Sequence, residues 1–253
     1  ANEYHYIFYI LPATAFENFC DDYLKNHRIN DLIICSKGIS KNGDFISNLI
    51  IKKLNLKNYH FLSGPSFADE VLYGKPTALS LSSNKVNKSI GIFFKDTNIR
   101  IYYSEGYKTL EFLGILKNIY AIGAGIIDAE TLGQNARAAY ITRCIVEIKS
   151  MLKSLNLNTN MIYSLGGIGD LILSCSSNKS RNYNFGFSFE KKNKNKTANR
   201  KTIEGINSCL NIKNNKKINI SKFPIINSII KTINGSPSKK EIKILLNRKF
   251  KNE

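Results

Sequence analysis

Paired cysteines, clustered histidines and acidic residues are all scarce in this sequence. Five cysteines stand at 20, 35, 144, 175 and 209, an odd count with no C-x-x-C spacing. That pattern excludes a disulfide framework and a zinc knuckle, and it reads as reduced thiols in a cytoplasmic protein. The three histidines, His5, His27 and His60, lie far apart in the chain, so no metal site is expected. No uninterrupted apolar run reaches the roughly 18 residues that cross a bilayer, so membrane insertion is not expected. The start, Ala1-Asn2-Glu3-Tyr4-His5, has no basic n-region and no cleavage site, and does not read as a signal peptide. No Gly-x-Gly-x-x-Gly follows a strand anywhere; the glycines at 123–125 and 166–169 stand in the wrong context for one.

Acidic residues number 19 against 37 Lys and Arg, a formal charge of +18. The excess is concentrated in Lys191–Lys201, Lys213–Lys217 and Lys239–Lys251, and it travels with Asn and Ile. Such drift describes a solvated positive surface, and specific nucleic-acid binding is not expected. The field would still attract a small anionic substrate.

Short apolar runs alternate with helical stretches over the first third. Strands are expected at His5–Leu11, Asp31–Cys35, Tyr59–Leu62, Thr77–Ser82 and Ile99–Tyr103, and helices at Ala13–Lys25, Phe45–Leu54 and Phe67–Tyr73. That alternation predicts a mostly parallel sheet. After about residue 108 the texture becomes helical, with Leu110, Leu113, Leu116, Ile119 and Ile122 spaced along Thr109–Ile127. Further helices are expected at Asn135–Leu155, Leu171–Cys175, Ile203–Leu210, Pro224–Ile233 and Ser238–Asn247, and a mobile Lys/Asn-rich loop at 187–201. The fold class is α/β followed by all-α, with a domain boundary near 105: residues 1–105, then 106–253.

Three segments carry chemistry. Ser63-Gly64-Pro65-Ser66-Phe67-Ala68 follows a strand and opens a helix, where free N–H groups suit an anion or a cofactor edge; the same letters also make an ordinary turn. Lys117, within Leu116-Lys117-Asn118 on an apolar helix, would be desolvated enough to trade protons near neutrality, or would snorkel to solvent. Gly166-Gly167-Ile168-Gly169-Asp170 places a carboxylate at a helix start, followed by Ser174 and by Ser180-Arg181-Asn182, which can fork around a phosphate or simply stand exposed.

Taken in order, SKGI (36–39), LSGPSFADEV (62–71), GKPTAL (74–79), LKNIYAIGAGIIDA (116–129), GQNARAAYITR (133–143), GGIGDLILSCSSNKSRNYNFG (166–186) and IEG (203–205) make the chain resemble the bacterial-type NAD(P)-dependent glycerol-3-phosphate dehydrogenases. The resemblance runs from about residue 5 to the C-terminus. It implies an incomplete Rossmann-type parallel sheet, a C-terminal helical domain, and a site between them. It implies an oxidoreductase interconverting dihydroxyacetone phosphate and sn-glycerol 3-phosphate with NAD or NADP, feeding glycerophospholipid synthesis. By this resemblance Lys117 and Asp170 are catalytic. Lys37, Gly64, Ser66, Asn118, Ser174, Ser180, Arg181 and Asn182 contact substrate. Ala68, Arg181 and Glu204 contact the cofactor. The partner is a small phosphorylated substrate, with homodimerisation left open.

Three departures stand out, the first a Lys/Asn-rich stretch before Ile203 that is shorter and more polar than the family's helical connection and bears on where Glu204 falls. Ser174 replaces the family's usual threonine and keeps the hydroxyl. The family opens with a glycine-rich strand–turn–helix, and here the first strand resembles a later one. The expectation is that a βαβ unit of roughly 30 residues or more lies before Ala1 or on another polypeptide. A second reading is a non-catalytic remnant whose helical part serves as a binding or dimerising module. A third is a basic nucleic-acid or membrane-surface binder, which rests on net charge alone.

Overall fold

The computed structural model describes residues 3–54, 56–189 and 203–248. The Lys/Asn-rich stretch, from residue 190 on, lies outside the described residues.

Strands β1 (Glu3–Tyr9), β2 (Arg28–Ile34), β3 (Asn58–Ser63), β4 (Thr77–Ser83) and β5 (Ile99–Ser104) form one sheet in that spatial order. The apolar run Leu32-Ile33-Ile34 makes β2 a strand buried on both faces. Leu32 and Ile34 join the main core, while Ile33 packs with Leu81 and Ile90 on the opposite face. Helices α1 (Phe16–Asp22), α2 (Ile46–Lys53) and α3 (Ala68–Leu72) alternate with the strands.

The sheet is mixed rather than all parallel. β1, β2 and β3 run parallel, β4 runs antiparallel to β3, and β5 is parallel to β4. The β3–β4 connection explains the reversal. A parallel return needs a crossover that packs on the sheet, and α3 is a five-residue helix that buries none of its side chains. A seven-residue 3-10 segment, Lys88–Phe94, which periodicity did not anticipate, links β4 to β5.

His60 has no acidic neighbour in sequence, but it acquires one across the strands. Its Nε2 lies 2.8 Å from Asp31 Oδ1 and its Nδ1 2.6 Å from Ser83 Oγ. Burial holds the imidazole below its ordinary pKa despite the Asp31 carboxylate.

The remaining helices are α4 (Tyr107–Ala129), α5 (Gly133–Ser154), α6 (Asp170–Cys175), α7 (Arg181–Phe187), α8 (Glu204–Asn211), α9 (Pro224–Ile233) and α10 (Ser238–Leu246). Helix α4 is long and apolar enough, by length and composition, to cross a membrane, so the absence of an unbroken apolar run did not exclude one. It is instead a core helix, with 89% of that window buried within the protein. Apolar side chains all around its circumference put it at the centre of the fold, where Leu110 to Ile126 belong to the same core as the sheet.

Helix α7 was not anticipated. Its seven residues, RNYNFGF, are too few for periodicity to single out, and the helix buries Asn182, Tyr183, Phe185 and Gly186. A side chain at Gly125 would overlap the Tyr183 carbonyl, and one at Gly186 the Ile122 carbonyl, so two glycines let the backbones touch.

Helices α2 and α9 follow phenylalanines, Phe45 and Phe223, which cannot cap. Buried carboxylates from elsewhere take that role. Glu111 of α4 accepts from Ser47 N at 3.3 Å. Glu147 of α5 accepts from Ile225 N and Ile226 N, each at 2.8 Å.

Candidate active site

Asp170 is the first residue of α6, aimed inward by the turn before it. That turn, Leu165–Gly169, is a π-type bulge with a non-helical Gly167 (φ −92°, ψ −108°). A side chain at Gly167 would overlap the Ile162 carbonyl, so only glycine permits the bend. The result is a carboxylate 2% exposed that faces two lysines.

Lys37 arrives from the loop after β2, its Nζ 2.9 Å from Asp170 Oδ2. Lys117 arrives from the middle of α4, its Nζ 3.1 Å from Asp170 Oδ1. Lys117 also donates to Ser174 Oγ at 3.0 Å, one turn along α6 from Asp170. Ser63 Oγ, at the end of β3, donates to Asp170 Oδ2 at 3.4 Å, and Lys37 donates to the Gly64 carbonyl at 3.3 Å. Three strand- or helix-borne segments thus meet on one carboxylate.

The electrostatics follow from that arrangement. Burial pushes Asp170 up, but Lys37 and Lys117 outweigh it and hold the carboxyl below its ordinary range. Burial lowers Lys117, and Lys37 lowers it further; attraction to Asp170 offsets only part of this. Lys117 is therefore a buried amine that gives up its proton more readily than an ordinary lysine.

A second layer holds the first. Asn118 Nδ2 donates to the Lys37 carbonyl at 2.9 Å and to Glu204 Oε2 at 3.0 Å. Asn182 Nδ2 donates to Asn118 Oδ1 at 2.8 Å, and Asn182 Oδ1 accepts from Gly205 N at 2.9 Å. Glu204 is raised by burial, against the pull of Lys117, Lys37 and Arg181.

The structure brings together Lys37, Gly64, Lys117, Asn118, Asp170, Ser174, Asn182 and Glu204 through these bonds. Ser66 donates to the Gly64 carbonyl at 3.2 Å. Ser180, Arg181 and Ala68 stand at the rim. Ser180 Oγ caps α7 by accepting from Tyr183 N at 3.3 Å, while Arg181 and Ala68 are exposed. Arg181 and Asn182 do not act as one fork here, because Asn182 is turned inward toward Asn118. Ser63, which opens the Ser63–Ala68 segment but to which the sequence alone assigns no role of its own, is a direct partner of Asp170. It lies within the LSGPSFADEV stretch, but only the β3 register shows that it faces inward.

Two family models cover most of the chain. The NAD-dependent glycerol-3-phosphate dehydrogenase N-terminus matches residues 1–89, and the corresponding C-terminus matches residues 107–243. Among curated proteins, a glycerol-3-phosphate dehydrogenase (NAD(P)+) of Haemophilus influenzae is 35% identical over 187 residues, covering 69% of this chain and 54% of that protein. One of Blochmanniella pennsylvanica is 39% identical over 155 residues, covering 59% of this chain and 45% of that protein. The chain thus spans about half the length of the curated relatives it matches. The crystal structure of glycerol-3-phosphate dehydrogenase from Coxiella burnetii superposes with a TM-score of 0.81 at 27% identity, covering 96% of this chain and 77% of that one. With both domain signatures present in order and the fold shared, the chain belongs to the NAD-dependent glycerol-3-phosphate dehydrogenase family.

Proposed function

We propose that this chain supplies the substrate-binding and proton-transferring part of an NAD(P)-dependent dehydrogenase that interconverts dihydroxyacetone phosphate and sn-glycerol 3-phosphate. One observation carries the reading: a buried lysine, Lys117, shares the carboxylate of Asp170 with a second lysine, Lys37. A ketone becoming an alkoxide needs a proton at its oxygen, and a desolvated ammonium beside a fixed carboxylate can deliver it. Lys117 gives that proton in reduction and takes it back in oxidation. Asp170 holds Lys117 and Lys37 in place and keeps both charged positions on one side of the substrate. Ser174 keeps the Lys117 amine oriented. Arg181 at the rim, with Ser180 and Asn182 beside it, meets the phosphate.

The chain fits one end of a dinucleotide. The loops after β2 and β3 carry Lys37 and Gly64–Ser66 at the carboxyl ends of strands, where such ligands bind. Ser36 Oγ, next to Lys37, is buried without a hydrogen-bond partner among the described residues, a polar atom awaiting a ligand. The residues that would hold the cofactor are Ala68, Arg181 and Glu204, with Lys37 and Gly64 placing the substrate beside it. That cofactor, when bound, would supply the hydride exchanged at C2 of the substrate. No β–α turn in this sequence has the glycine spacing that grips a pyrophosphate.

In this reading residues 1–105 are the dinucleotide-facing domain and 106–253 the substrate domain, the product feeds glycerophospholipid synthesis, and the setting is cytoplasmic, in keeping with five free thiols. The test is turnover of dihydroxyacetone phosphate by the holoenzyme carrying Lys117→Ala. Loss of about a hundredfold or more is expected for removal of a positioned acid; unchanged turnover overturns the assignment.

A further inference from the structure

The two segments that flank the site are tied together at its mouth. Lys179, in the turn between α6 and α7, places its Nζ 2.8 Å from Asp69 Oδ2 and 2.8 Å from Glu70 Oε1, both in the first turn of α3. The same ammonium lies 5.7 Å from the Phe67 ring centroid. More than a hundred residues separate the partners in sequence, so tertiary structure alone makes this contact.

The position of the contact gives it a consequence. Lys179 directly precedes Ser180-Arg181-Asn182, and Phe67-Ala68-Asp69-Glu70 directly follows Gly64-Pro65-Ser66. The turn is stiff on its own side: Lys179 N donates to Ser177 Oγ at 3.2 Å, Asn184 Nδ2 donates to the Asn178 carbonyl, and Ser180 caps α7. Fixing Lys179 on α3 therefore fixes where α7 begins, and with it the exposed Arg181 guanidinium. Asp69 and Glu70 would otherwise be two unpaired carboxylates beside an anion site, and Lys179 engages both at once.

We propose that Lys179 is a positioning residue: it clamps the Arg181-bearing turn to α3 and so sets the geometry with which the phosphate of the substrate is held, without touching the phosphate itself. The proposal rests on the phosphorylated-substrate reading above. It assigns specificity for the phosphorylated substrate to a contact outside the Lys117–Asp170 centre.

The test uses the 253-residue chain and sn-glycerol 3-phosphate, followed by titration calorimetry, with two double variants that keep the local net charge of the wild type. Lys179→Ala with Asp69→Asn removes the clamp, and its dissociation constant should rise about three- to tenfold, the scale of a few exposed polar contacts and a cation–π contact. Lys179→Glu with Asp69→Lys rebuilds one ion pair with reversed polarity and should return to within about twofold of wild type. Melting temperatures of both should stay near the wild-type value, since exposed pairs add little to folding. Unchanged affinity in the first variant shows that the pair positions nothing and overturns the clamp. Failure of the swap to restore affinity shows that Lys179 contacts the ligand directly, and also overturns it. A wild-type chain that binds no glycerol 3-phosphate overturns the underlying functional reading as well, an outcome distinct from the other two.

Discussion

Lys117 and Asp170 form a buried ion pair, Nζ to Oδ1 at 3.1 Å, and the other oxygen of that carboxylate is held by Lys37. One anion thus serves two cations in a desolvated place. Burial and the neighbouring ammonium both favour the neutral amine on Lys117, and Asp170 opposes them. Lys117 therefore gives up its proton more readily than an ordinary lysine, as a proton-transfer group must.

That balance has a signature in the pH profile of the holoenzyme. Reduction needs Lys117 protonated and oxidation needs it neutral. kcat/KM for dihydroxyacetone phosphate should therefore fall with rising pH through a value below the ordinary lysine pKa of 10.5, while kcat/KM for glycerol 3-phosphate rises through the same value. Steady-state rates in both directions between pH 6 and 10 check this. Parallel profiles for the two directions would count against Lys117.

Asp170→Asn should lower turnover by about a hundredfold or more, because it removes the anion that both ammonium groups contact directly. The pH inflection assigned to Lys117 should also move down, since the strongest attraction opposing burial is lost. Rates of the variant across the same pH range provide the measurement, and an unmoved inflection would contradict the coupling.

Glu111 gives a stability prediction of opposite sign to the usual carboxylate. Burial raises it to about 7, against the Ser47 hydrogen bonds that lower it, from an ordinary 4.5. The folded protein then binds more protons than the unfolded chain between those values. Its contribution is fully present below pH 4.5 and is lost as pH rises through 7. Between pH 5 and 8 the loss amounts to roughly 2–3 kcal/mol. In Glu111→Gln that component should vanish, so urea unfolding at the two pH values should differ less than in wild type by about this amount.

Glu147 accepts from three donors, Ile225 N, Ile226 N and Tyr120 Oη, and is 6% exposed. Glu147→Gln replaces one acceptor oxygen with an amide that can only donate. At least one donor is left unmatched, at a cost of about 1–3 kcal/mol. Denaturant unfolding near neutral pH should show a lower midpoint with an unchanged slope.

Gly186→Ala should destabilise by about 1–3 kcal/mol or more, because the added methyl overlaps the Ile122 carbonyl at the α4–α7 crossing. The strain reaches the site as well, since α7 carries Arg181 and Asn182. A fall in melting temperature accompanied by weaker glycerol 3-phosphate binding is the expected pair of results.

Much of this was legible in the chain. The strands of the α/β part, the long α4 and the helices after it follow from apolar periodicity, because a buried face repeats with the period of its element. Lys117 on an apolar helix and Asp170 after a glycine turn stood out for the same local reason. Three things came only from tertiary structure. The β3–β4 pairing turned antiparallel because α3 buries nothing on the sheet. Helix α7 packs closely on α4 because glycines at 125 and 186 admit it, a contact its own sequence does not reveal. The site itself, in which Lys37, Ser63, Lys117, Asn182 and Glu204 converge from five separate segments, is set by contacts between residues far apart in sequence. Local sequence determines which face of an element is apolar; which charges meet once those faces are buried is decided by packing.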